Sequence, residues 1–101
     1  MPMSIADFFA APPFNADDAL ALLKRELRGL GLSEREGRFE RKGTSIARLA
    51  LQGGAILAER VRRPSRASPE WLPKVLESGA DVRDFVADLK KQLAQWSDQD
   101  D

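Results

Sequence analysis

"GRFERKGTSIARLALQGGAILAERVRR", residues 37–63, decides the fold. Read as a helix, it places Ile46, Leu49, Gly53, Ile56, Leu57 and Val61 on one face, but its two central glycines would together cost about 2 kcal/mol relative to alanine. Read as strands, it breaks at "RKGT" and "QGG" into three runs, and Gly53 and Gly54 suit a tight hairpin between "IARLALQ" and "AILAERV". The glycines favour a three-stranded antiparallel meander. Its alternation is imperfect: Glu59 falls between Leu57 and Val61 on one face, and Arg60 follows Ala58 on the other.

Helices are expected on both sides of this stretch. In "NADDALALLKRELRGLGL", Asn15 can cap the first turn, and Asp17 and Asp18 complement the positive end of the helix dipole. Ala16, Ala19, Leu20, Leu23, Leu27 and Leu30 recur at helical spacing, predicting a helix over 16–30. Gly31 can take the left-handed conformation that closes it, freeing Leu32 to fold back. In "GADVRDFVADLKKQLAQW", Val82, Phe85, Val86, Leu89, Leu93 and Trp96 make one stripe, predicting a helix over 80–96. Each helix has a single apolar face and needs a surface to cover.

Between them, "PSRASPEWLPKVLESG" is rich in punctuation. Pro73 lacks the amide a helix interior requires, so a tight turn at 69–72 and a short helix at 73–78 are expected. The expected fold class is therefore α+β: a three-stranded antiparallel meander packed on one face by an N-terminal and a C-terminal amphipathic helix, in the order α-β-β-β-α-α. An N-terminal arm (1–14), a single domain (15–97) and a frayed acidic tail (98–101) complete the chain. The arm carries Ile5, Phe8 and Phe9, so it can dock on a partner or fold back over the domain's own open side.

Composition narrows the chemistry. The 101 residues contain no cysteine, histidine or tyrosine. Disulfides, thiolate catalysis and sulfur-ligated metal are excluded, and the side chain most used for proton transfer near neutral pH is missing. Carboxylate pairs such as Glu34 with Glu36 or Asp84 with Asp88 remain as candidates for acid and base work or for a hard cation. No spacing matches a calcium loop, and no lysine follows the glycine pair as in a nucleotide loop. The expectation is a non-enzyme without cofactor or metal. No apolar run approaches the about 18 residues of a membrane span, and no secretory leader pattern opens the chain, so a soluble cytoplasmic protein is expected.

The net charge of zero hides an asymmetry. Residues 1–23 carry three acidic side chains and no basic one. Residues 24–66 carry twelve basic against five acidic, and residues 67–101 four basic against eight acidic. Within the basic middle, "RVRRPSRASPEW" gathers Arg60, Arg62, Arg63 and Arg66 beside Trp71. Guanidinium forks there can meet phosphate, with Arg38 and Arg41 extending the patch. The competing reading has these arginines blunting an edge strand and pairing with the acidic helices. Trp71 is read either as an interface anchor or, held by Pro69 and Pro73, as the seal of a core corner.

The order helix, three strands, helix resembles that of the double-stranded RNA-binding domain. That family's last helix begins with a lysine cluster, whereas here "GADVRDFVADLKK" begins acidic, so no residue is carried over. The functional expectation is a protein-binding or adaptor module, with a protein partner or a second copy of itself (a homodimer) on the uncovered sheet face. Nucleic-acid or phosphate binding through a basic sheet face and the arginine turn is the alternative.

Overall fold

The computed structural model of the chain describes residues 14–65 and 67–99. Helix α1 (Ala16–Gly29) leads into five strands: β1 (Ser33–Arg35), β2 (Arg38–Arg41), β3 (Thr44–Gln52), β4 (Ala55–Val61) and β5 (Trp71–Leu76). Helix α2 (Gly79–Gln99) follows. The strands form one antiparallel meander in the order β1-β2-β3-β4-β5.

The helix ends follow from their local chemistry. Asn15 Oδ1 accepts the Asp18 amide at 3.0 Å at the start of α1. At its end the Gly31 amide donates to Arg28 O (3.0 Å) and the Leu32 amide to Leu27 O (3.3 Å), with Gly31 at φ +91°. This is a Schellman closure, and it turns Leu32 into the core. The start of α2 is fixed reciprocally: the Asp81 amide donates to Ser78 Oγ, and Asp81 Oδ2 accepts the Glu77 amide.

Two-residue hairpins connect the central strands. Lys42 and Gly43 both have positive φ (54° and 79°), as a type I′ turn requires. Gly53 alone of its pair is positive, at 60°. Between the hairpins, the β2–β3 register shifts beside Phe39 and Glu40, and both Ile46 and Ala47 are buried there. The bulge places them side by side on the core face.

One face of the sheet carries Phe39, Ile46, Ala47, Leu49, Ile56, Ala58 and Leu76, all buried in one cluster with Leu23 and Leu27 of α1 and Phe85, Leu89 and Trp96 of α2. Both helices lie on this face. Arg60, which follows Ala58 on it, reaches the edge of α2 and pairs with Asp88 at 3.1 Å. Arg41 donates to Ser97 Oγ (2.8 Å) and Leu93 O (3.4 Å). The two charged interruptions of the strand pattern are thereby absorbed, Arg60 by the helix and Glu59 by Arg48 on the other face.

Two expectations need correction. The sheet has five strands rather than three, and the order is one helix, five strands, one helix. Residues 73–78 are not a short helix, nor 69–72 a tight turn, because Trp71–Leu76 pairs along β4 from Val61↔Trp71 to Ile56↔Leu76. Pro73 is tolerated because β5 is an edge, where its missing amide takes nothing from the ladder. With five strands, the element order also departs from that of the double-stranded RNA-binding domain. The N-terminal arm lies outside the described residues except Phe14, which packs against the core. Of the acidic tail, residues 100 and 101 lie outside them as well, while α2 runs on to Gln99.

Candidate binding surface

Strand alternation assigns the side chains of the second face. Arg38 and Glu40 of β2, Ser45, Arg48 and Ala50 of β3, Leu57 and Glu59 of β4, and Trp71, Pro73 and Val75 of β5 point away from the helices, while Val61, at the end of β4, is fully buried. Residues 62–65 and 67–70 fold over one end of this face. Their base is closed by the Arg62 amide donating to Glu70 O at 2.9 Å and by an ion pair between the same residues at 3.4 Å. Among them, Ser65 Oγ accepts the Ala67 amide.

The sequence-predicted cluster does not assemble as one site. Arg60 is on the helix-covered face with Asp88, and Arg62 is held by Glu70. Arg63 is exposed and makes no ion pair among the described residues; Arg66 lies outside them. Trp71 is half-buried, packs against the core, and carries a guanidinium on its ring: Arg48 Cζ stands 4.1 Å from the ring centroid. Arg48 reaches Trp71 diagonally across β4 while its Nε and Nη2 donate to Glu59 Oε1 and Oε2 at 2.8 and 3.1 Å. A two-point pair and a cation–π contact thus fix one side chain in one place.

Around that fixed arginine is a cleft of about 650 Å³ lined by Arg38, the hairpin residues 42–45, Arg48, Ser65, Ala67, Pro69 and Trp71. Among the described residues its lining holds the cations Arg38, Lys42 and Arg48 and no carboxylate. Arg38 and Lys42 make no ion pair among the described residues. Of these groups the sequence reading singled out Arg38 and Trp71. It missed Lys42, Thr44, Ser45 and Arg48, whose only signal was the "RKGT" turn that fixes the β2–β3 register.

The other end of the face is apolar. Ala50, Leu57 and Val75 are neighbours on three adjacent strands (Ala50↔Leu57, Leu57↔Val75), and Val75 is 46% exposed. Pro73, next on the same face, is exposed too.

Of the four candidate carboxylates, two are engaged by cations, whereas Glu36 and Asp84 make no ion pair among the described residues. Glu34 is clasped by Lys24 (3.1 Å) and Arg28 (2.9 Å), tying β1 to α1, and Asp88 is held by Arg60. Among the described residues no three acidic side chains converge as metal ligands, and no helix is long and apolar enough to cross a membrane. No family model matches the chain, and no similar curated protein or solved structure was found.

Proposed function

We propose that the chain is a non-catalytic binding module that docks a protein partner on the face of its sheet that the helices leave uncovered. The observation that carries this reading is the contiguous apolar patch of Ala50, Leu57 and Val75 across β3, β4 and β5. Contiguous apolar side chains left open on a strand face mark a contact surface, and neither helix covers these.

Edge pairing is a poorer route to a partner. β1 is only three residues long, and β5 carries Pro73, both of which blunt an edge against added strands. Of the carboxylates considered for acid and base work, Glu34 and Asp88 are each engaged by a cation. Nucleic-acid binding through the arginine turn is weakened because Arg60 and Arg62 already have carboxylate partners. A tract with few free cations would release few counterions and bind with a shallow salt dependence.

The test compares two equally exposed leucine-sized positions. A photo-crosslinking residue placed at Val75, on the uncovered face, should give a discrete protein adduct in cells. The same residue at Leu22, 48% exposed on α1, should give none. An adduct of twice the chain's mass identifies the partner as a second copy. Equal labelling at both positions, or none at Val75, overturns the reading.

A further inference from the structure

We infer that the cleft between the β2–β3 turn and residues 62–65 and 67–70 is a binding site for a small phosphate monoester. The inference stands apart from the protein-docking patch, because it rests on different residues at the other end of the face.

Charge is the first argument. Of the three cations in the lining, Arg48 is neutralised by Glu59, which leaves Arg38 and Lys42 uncompensated among the described residues. Two positive charges match a phosphate monoester, which carries about −1.5 to −2 at pH 7. A carboxylate would leave one of them unanswered. Glu40 shares the face but does not line the cleft.

Donor geometry is the second. Arg48 uses Nε and one Nη2 hydrogen on Glu59, so its Nη1 amino group stays uncommitted in a guanidinium that Trp71 and Glu59 hold still. An immobilised fork loses little entropy when it binds an anion. Ser45 contributes a hydroxyl with no side-chain partner among the described residues, and Ser65 accepts from the Ala67 amide while keeping its own proton to donate. The cleft volume lies within the few hundred to about a thousand Å³ typical of small-molecule sites. A nucleic-acid strand would instead need a long track of cations continuing beyond the cleft; the exposed Arg35, cross-strand from Arg38, extends the charge by one residue, and Arg62 is paired with Glu70.

The experiment is an NMR titration of the full chain with inorganic phosphate, O-phosphoserine and acetate, following the amides of Gly43, Ser45 and Ala67 and the Trp71 indole. Saturable shifts confined to these groups are expected with phosphate and O-phosphoserine, and none with acetate. R38Q/K42Q should weaken binding at least tenfold, whereas R63Q, removing a nearby exposed arginine outside the cleft, should change it less than twofold. Should the double variant lose its native spectrum, E40Q gives the opposite test, because removing the one unpaired acid of the face should tighten binding severalfold. The assignment is overturned by shifts that do not saturate, by equal affinity for acetate, by R63Q weakening binding as much as R38Q/K42Q, or by E40Q leaving affinity unchanged. A phosphoserine peptide that binds far more tightly than free O-phosphoserine would overturn the small-molecule assignment.

Discussion

The two faces of the sheet treat the same kinds of residue in opposite ways. Facing the helices, the core side chains are buried to a few per cent exposure, although Leu51 at the end of β3 is 47% exposed, and each arginine that intrudes is bound at once: Arg60 by Asp88, and Arg41 by Ser97 and a helix carbonyl. On the far face, Val75 stays open, and Arg38 stands without a partner among the described residues beside a pre-set Arg48. Where the helices shield a face from most water, a polar group needs a partner within the fold. The other face is free to leave groups unanswered, and that freedom marks where ligands belong.

The largest test of this contrast is truncation on each face. Phe39 is fully buried under the helices, so F39A should cost about 3–5 kcal/mol of unfolding free energy, transfer and cavity terms together. V75A, on the uncovered face, should stay within about 0.5 kcal/mol. Urea denaturation monitored by far-UV circular dichroism reads both. A V75A cost approaching that of F39A would mean that the second face is also core.

An intermediate effect is expected at the junction of the faces' logic, in the Arg48–Glu59 pair. Its geometry is bidentate and Arg48 also stacks on Trp71, but the side chains are 42% and 19% exposed. Solvent therefore screens much of the Coulomb attraction. A double-mutant cycle with R48M and E59Q should return a coupling of about 1 kcal/mol. A coupling of zero would show that Arg48 is not held, and the cleft would lose its fixed anchor.

Much of this was legible from residue types alone. The glycines at 53 and 54, the turn at Lys42–Gly43, the Asn15 cap and the Gly31 closure each act locally, through φ or through one hydrogen bond, so a short window suffices to read them. Strand β1 was not legible because "SER" has no apolar alternation, and it exists only by pairing with β2. Strand β5 was hidden because Pro73 says "not a central strand" as readily as "helix start", and only topology reveals that it is an edge. The cleft was hidden for a third reason: Lys42 and Arg48 meet Ser65 and Trp71 across β4, which depends on strand order. The arginine turn looked like a site because its charges are close in sequence, yet the pleat sends its Arg60 to the helix-covered face, while Arg48, outside the turn, stands on the other.

The smallest effect separates those two arginines by function rather than by stability. Arg60 pairs with an Asp88 that is itself 51% exposed, so R60Q should lower stability by less than about 1 kcal/mol. Because its side chain is on the helix side of the sheet, R60Q should also leave phosphate-induced shifts at Gly43 and Ser45 within twofold of the parent affinity. Long-range electrostatics alone would predict otherwise: any lost positive charge within a Debye length of about 8 Å at physiological salt weakens an anion site. Equal weakening by R60Q and by K42Q would therefore reduce the cleft to a diffuse positive potential. A loss confined to K42Q and R38Q would show that the sheet separates an arginine that holds the fold from those that hold a ligand.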